Sequence, residues 1–367
     1  MSDYWNSRVI NLSPYVPGEQ PRDRQFIKLN TNENPYPPSQ RVIEAIRKTA
    51  DDRLRLYPDP ECTEFREAVA ARYGVKPENV FAGNGSDEIL ALAFGAFFES
   101  SAQVADNREQ GTDGKVILFP DITYSFYHVY ARLWGVEYRT VPLAGDFSVN
   151  PSDYMIPSAG IVLPNPNAPT GMALPLDALL PLVSYLDTQG KVFILDEAYC
   201  AFGAESALVH LCRHPNLLII HTLSKSASLA GLRAGFAVGS VQLIEGLRRM
   251  RDSFNSYTVD RLAQEGAAAA ITDAAYYDEI NRRIIATRDR VSQELARLGF
   301  TVLPSQANFI FIRAPGRSGI DFFSFLRQRG ILARHFSGER TADFLRVSIG
   351  TDADMDVFLD ACQRFLI

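Results

Sequence analysis

Through the middle of the chain, short and wholly apolar runs alternate with longer stretches whose apolar residues recur at helical spacing. KVILF (115–119), GIVLP (160–164), KVFILD (191–196), NLLIIHT (216–222) and AGFAVG (234–239) read as buried strands. Between several of them lie amphipathic segments such as LDALLPLVSYLDTQG (176–190), which reads as a helix. Apolar strands alternating with helices predict an α/β fold, a mostly parallel sheet with helices on both faces.

The last third changes pattern. TVLPSQANFIFIRA (301–314) and FLRVSIG (344–350) are strand-like, whereas IDFFSFLRQRG (320–330) and residues 353–366 are helical. This mixture predicts a smaller α+β domain, joined to the sheet by a long helix over 278–298. Near the N-terminus, LNTNENPYPPS is rich in Pro and Asn and predicts an extended arm. The expected organisation is an arm over 1–41 lying with the small domain, a large domain over 42–260, and a small domain over 261–367 that includes the linking helix. A cleft is expected between the two domains.

Composition then removes several classes of function. The 367 residues are 46% hydrophobic and 22% charged, with a formal net charge of −6 and no long run of either sign. That balance argues against a nucleic-acid or membrane-surface partner, so any anionic ligand must be held by local cations. Four cysteines without a CxxC argue against a zinc site or a disulfide framework. The N-terminus has neither the order of a signal peptide nor that of an Arg-rich presequence, and no apolar run reaches membrane-spanning length. A cytoplasmic protein acting on small molecules is expected.

Ligands of open α/β sheets bind beyond the carboxyl ends of the strands, so the residues that follow each strand carry the chemistry. Asp196-Glu-Ala-Tyr199 follows VFIL, Ser224-Lys225 follows LLIIHT, and Asn165-Pro-Asn167-Ala168-Pro-Thr-Gly171 follows IVLP. After a short strand VFA, Gly83-Asn-Gly85-Ser86-Asp87-Glu88 opens a helix. Its free N–H groups and dipole suit a phosphate, with Ser86 as a possible N-cap, although Asp87 and Glu88 oppose an anion. Taken alone, this is also an ordinary helix start, and a lysine after a strand is more often a solvated side chain. Together, a lysine, a carboxylate and a phosphate cradle supplied by Ser224 and Arg233 match what pyridoxal 5′-phosphate requires. Neither a metal site nor a Ser-His-Asp arrangement accounts for the same set.

The chain resembles the fold-type I pyridoxal-phosphate enzymes and, among them, the histidinol-phosphate aminotransferase family. LSPYVPG, KLNTNENPYPPS, LYPDP, GNGSDEIL, PDITYSFY, PNPNAPTG, LDEAYCAF, TLSKSASLAGLRAGF, SQANFIF and FLRVSIGT carry the resemblance over nearly the whole length. It implies that Lys225 bonds the coenzyme, that Asp196 pairs with its ring nitrogen, and that Tyr199 bonds its phenolic oxygen. It further implies that Tyr124 stacks on the ring, with Gly85, Ser86, Asp87, Ser224 and Arg233 around the phosphate. Tyr57 would reach the site of the other subunit of a homodimer. Tyr15, Asn32, Arg334 and Arg346 would bind substrate.

Two positions depart from the pattern. Ala168 stands where the family commonly has an Asn that contacts the ring oxygen; Asn167 is counted with the cofactor-binding residues as a substitute that requires a shifted loop, since side chains alternate in direction. Ser253-Phe254-Asn255 replaces a usual Pro-Phe-Asn. The implied reaction moves the amino group between L-histidinol phosphate and 2-oxoglutarate. A broad or aromatic aminotransferase and a threonine-phosphate decarboxylase are the competing readings. Transcription regulators built on the same fold need a DNA-binding module for which this chain leaves no room at its N-terminus.

Overall fold

The computed structural model describes residues 4–10, 12–14, 18–20, 26–101 and 114–367. After β1 (Ile27–Lys28), a seven-stranded sheet is built from β2 (Val80–Gly83), β3 (Ile117–Pro120), β4 (Tyr138–Val141), β5 (Gly160–Pro164), β6 (Val192–Asp196), β7 (Leu217–Thr222) and β8 (Gly235–Val238). Their order is β2-β8-β7-β6-β5-β3-β4. Neighbours from β7 across to β4 run parallel, whereas β8 lies antiparallel to both β2 and β7. The chain between β7 and β8 turns back on itself without a crossover helix, and that return carries Lys225 and Arg233.

Wholly buried β2, β3, β5 and β8 agree with helices covering both faces. One face packs Ile89, Phe94 and Leu247, and the other packs Phe65, Leu179 and Ala267.

The smaller sheet is antiparallel, with β9 (Thr301–Val302), β10 (Phe309–Arg313), β12 (Arg334–His335) and β13 (Phe344–Ser348) in the order β12-β13-β10-β9. Strand β11 (Ile331–Leu332) pairs in parallel with β1, which ties Ile27–Lys28 to the C-terminal part of the chain. The long helix predicted over 278–298 runs Ala274–Arg297 and spans about 36 Å. Tyr277 and Ile280 near its start join the core of the large sheet, and Ile284, Val291 and Leu295 join that of the small one. One continuous rod thus serves both cores.

The helix Arg261–Thr272, expected to begin the small domain, instead packs against Gln40–Thr49 and Thr63–Tyr73. It places Ala263, Ala267, Ala270 and Ile271 in the core of the large sheet. Small residues on its inner face permit that close approach. Among the described residues no helix is long and apolar enough to cross a membrane.

Candidate active site

The carboxyl ends of β5, β6 and β7 place Pro164, Asp196 and Thr222 on one cavity of ≈330 Å³, within the range of small-molecule sites. Asp196 is buried, accepting from the Tyr127 hydroxyl at 2.9 Å and from the Ala198 N–H at 3.1 Å. Burial pushes its carboxyl up to about 6, against the lowering effect of those two bonds. Two of its roughly four acceptor positions are filled by protein, which leaves capacity for a cationic N–H.

Lys225 lies in a single helical turn, Leu223–Ser226, capped by the Thr222 hydroxyl, which accepts from the Ser224 N–H. Its Nζ donates to the Thr31 carbonyl at 3.0 Å, and its own carbonyl accepts from Asn34. Burial lowers its pKa to about 8, and the Arg346 and Arg233 charges act in the same direction. Near neutral pH a usable fraction of the amine is therefore unprotonated.

The helix Gly85–Phe97 starts directly after β2. Its N-cap is Asn84 rather than Ser86, because Gly85 at φ +76° already turns the chain into the helix. A Cβ on Gly85 would meet Arg233 Nη2 at 2.8 Å, so only glycine lets the guanidinium lie against this turn. Arg233 Nη2 donates to Asp87 at 3.1 Å and its Nη1 to the Ser224 hydroxyl at 3.4 Å. Both acidic residues of this helix start are partnered, Asp87 within the cavity by Arg233 itself. Asp87 also accepts from the Tyr124 hydroxyl at 2.6 Å, and Glu88 accepts from the Asn84 N–H at 2.7 Å.

At the opposite wall, Arg334 and Arg346 are direct partners across β12 and β13. Both line the cavity, and Arg346 donates to the Asn30 carbonyl at 3.0 Å. Asn32, in the left-handed region at φ 55°, donates to the Tyr199 hydroxyl at 2.9 Å and accepts from Ser348 at 3.0 Å. The strip Asn30–Thr31–Asn32 thereby touches Arg346, Lys225 and Tyr199 in succession.

Not every expected residue converges here. Asn167 donates to the Ile122 carbonyl and the Thr170 hydroxyl and accepts from Thr123, so its amide braces its own loop. Ala168, not Asn167, faces the cavity, which corrects the expectation that Asn167 replaces the missing contact. Tyr57 is 77% exposed and stacks on Tyr257 at 4.6 Å, away from this chain's own cavity. Phe254 of the altered tripeptide is also exposed. Tyr15 lies outside the described residues.

Sequence reasoning missed Tyr127 and Glu33. Tyr127 lies in the first turn of the helix Phe126–Trp134, three residues after Tyr124, whose carbonyl accepts from the Tyr127 N–H at 3.1 Å. Glu33 lines the cavity, accepts from Lys28 at 2.7 Å and from Thr31 at 2.9 Å, and acts electrostatically on Lys225. Burial works against its charge, but the Lys28 and Thr31 bonds prevail and hold its carboxyl below the usual range.

Comparison with known proteins follows the same lines. Residues 24–362 match the family described as aminotransferase class I and II. Histidinol-phosphate aminotransferase 1 of Bradyrhizobium diazoefficiens is 53% identical over 366 residues, covering 100% of both chains. The histidinol-phosphate aminotransferase of Clostridium acetobutylicum is 51% identical over 364 residues, covering 99% of each. The crystal structure of the Sinorhizobium meliloti histidinol-phosphate aminotransferase in complex with pyridoxal-5′-phosphate superposes with a TM-score of 0.84 at 24% identity. That match covers 100% of this chain and 99% of the other, and it shows the shared fold. The fold, the clustered lysine, aspartate and arginines, and full-length identity above one half agree, and the chain belongs to the histidinol-phosphate aminotransferase family of class I and II aminotransferases.

Proposed function

We propose that this protein is a pyridoxal-phosphate-dependent transaminase. It interconverts L-histidinol phosphate and 2-oxoglutarate with imidazole-acetol phosphate and L-glutamate, a step of histidine biosynthesis. The observation that carries the substrate assignment is the direct pairing of Arg334 and Arg346 over the cavity that holds Lys225. Planar guanidinium forks suit a phosphate and a carboxylate equally, as the two dissimilar substrates demand.

The residues fit the coenzyme. A buried carboxylate with free acceptor capacity suits a cationic ring nitrogen, and the Gly85 turn with Arg233 against it suits a phosphate. Bound there, pyridoxal phosphate supplies an aldehyde carbon for the amino group and a ring that withdraws electrons from the substrate's Cα. Ser224, Arg233 and the N–H groups of the helix start would hold the phosphate, Tyr124 the ring face, and Tyr199, itself held by Asn32, the phenolic oxygen. Lys225 Nζ, neutral in part near pH 7 because burial lowers its pKa, removes the proton from the substrate's Cα. Arg334 and Arg346 fix the far end of the substrate so that Cα stays within reach of that amine.

A homodimer belongs to this reading. Leu54, Leu56, Tyr57, Phe254 and Tyr257 form an exposed apolar group on the large domain, unusual for a surface left in water. Mixing Tyr57→Phe and Lys225→Ala chains tests it, because hybrid dimers retain one intact site only if Tyr57 acts across the interface. A cytoplasmic location is consistent with four free thiols.

Single-turnover absorbance of the holoenzyme, with no oxo acid present, tests the substrate. Rapid conversion of the coenzyme band by L-histidinol phosphate, and not by phenylalanine, is expected. Preference for phenylalanine would make the protein an aromatic aminotransferase, and carbon dioxide release from threonine phosphate would make it a lyase.

A further inference from the structure

Tyr127 is fully buried, yet it carries a polar group to the floor of the active site. Its ring is fixed on several sides, stacked on Phe94 at 6.3 Å and edge-on to Phe119 at 5.8 Å and Tyr124 at 5.7 Å. From that position its hydroxyl donates to Asp196 Oδ2 at 2.9 Å, while the Ala198 N–H donates to Oδ1 at 3.1 Å. Each carboxylate oxygen is therefore held by one protein donor, and the plane of the group is set.

We infer that Tyr127 is a positioning residue for Asp196: its hydroxyl fixes that carboxylate in orientation and keeps it the anion that a cationic ring nitrogen requires. The inference rests on the coenzyme reading above. A phenol is a suitable donor for this place. It gives one hydrogen bond, brings no charge of its own, and fills the apolar space around it with ring. A lysine or arginine there would pair with Asp196 and compete with the ligand.

The surrounding charges make the bond matter. Burial raises the Asp196 carboxyl to about 6, and Asp87 at the start of Gly85–Phe97 acts in the same direction. Against these stand the Tyr127 hydroxyl, the Ala198 N–H and His221 on β7. The hydroxyls of Tyr130, on the same helix as Tyr127, and of Tyr199 also lie within electrostatic reach of Asp196. Deleting the Tyr127 hydroxyl removes one of the few groups that favour the anion. The Asp196 pKa then rises towards neutrality, and the acid form cannot pair with a cation.

The sign follows from this. Below the shifted pKa Asp196 is protonated and holds the coenzyme weakly. Above it the carboxylate returns and the hold recovers.

The experiment is equilibrium dialysis of the full-length holoenzyme against pyridoxal phosphate, comparing wild type with Tyr127→Phe at several pH values. The expected result is affinity about 10-fold or more weaker near pH 6.5, with the ratio to wild type shrinking to within about threefold near pH 8.5. Taking the ratio cancels titration of Lys225 and of the coenzyme itself. In an Asp196→Asn background, the same Tyr127→Phe change should cost nothing that depends on pH. A ratio constant across pH, or an equal loss in the Asp196→Asn background, would reduce Tyr127 to packing and overturn the inference. Failure of wild type to bind pyridoxal phosphate would instead overturn the reading of the cavity, so the two failures are distinguishable.

Discussion

Asn32 combines a backbone role and a side-chain role that substitution can separate. Its φ of 55° lies in the left-handed region, which Asn tolerates better than most residues and Gly best. Its amide bridges Ser348 on β13 and the Tyr199 hydroxyl, both at buried or half-buried positions. Asn32→Gly removes both bonds without backbone strain. Two such bonds, with Ser348 and Tyr199 left short of a partner, amount to about 2–3 kcal/mol of lost stability. Asn32→Ala loses the same bonds and adds about 1–2 kcal/mol of left-handed strain. Glycine's greater unfolded-state freedom offsets about 0.5–1 kcal/mol of that difference, leaving the alanine variant roughly 0.5–1 kcal/mol below glycine. Urea unfolding followed by far-ultraviolet circular dichroism should order the midpoints wild type, Asn32→Gly, Asn32→Ala. An alanine variant more stable than the glycine one would refute the strain argument. Two variants indistinguishable from wild type would refute the bridge.

Further outcomes follow from the same geometry. Because burial lowers Lys225 to about 8, its basic form is gained as pH rises, and kcat, which reports the amine once it is free to move the Cα proton, should climb through that region. Glu33→Gln removes an anion that favours the charged lysine, so the rising limb should move to lower pH; an upward shift would contradict the electrostatics. Arg334→Ala and Arg346→Ala should each raise KM for L-histidinol phosphate about 10–100-fold, and an equal rise for a phosphate-free amine would count against phosphate recognition. Gly235→Ala would bring a Cβ within 2.8 Å of Gly85 C and Ser86 N and 2.9 Å of His221 O. Those are all backbone atoms, so the variant should lose about 1–3 kcal/mol and retain coenzyme poorly; unchanged midpoint and retention would show that the strands can spread.

The large sheet and the placement of Asp196, Lys225 and the Gly85 turn at its strand ends were legible in sequence because both are local. Buried strands leave uninterrupted apolar runs, and Asp196 ends β6, Lys225 comes shortly after β7 and the Gly85 turn comes just after β2. What sequence did not disclose depends on long-range pairing. Arg334 and Arg346 face each other only because β12 folds back on β13, and nothing in their twelve-residue separation reveals that register. Tyr127 reads as one more core aromatic until its hydroxyl is seen to meet a carboxylate 69 residues away. The alanine-rich face of Arg261–Thr272 fits any close helix contact, so its choice of core is invisible in the pattern. Asn167 braces its own loop because the backbone there turns the amide inward, a matter of local geometry rather than composition.

The bond from Lys225 Nζ to the Thr31 carbonyl joins the reactive amine to the strip that follows β1 and lines the cavity. Thr31 follows β1, which is fastened to β11, and precedes Asn32, which is fastened to β13. A charged ammonium is the stronger donor to that carbonyl, so protonation of Lys225 and the placement of Thr31 favour one another. Linkage makes the relation reciprocal: any change that breaks the Thr31 bond lowers the lysine's proton affinity by the same free energy with which a neutral lysine weakens that bond. The acid–base state of the amine and the seating of the Asn30–Asn32 strip are thereby coupled.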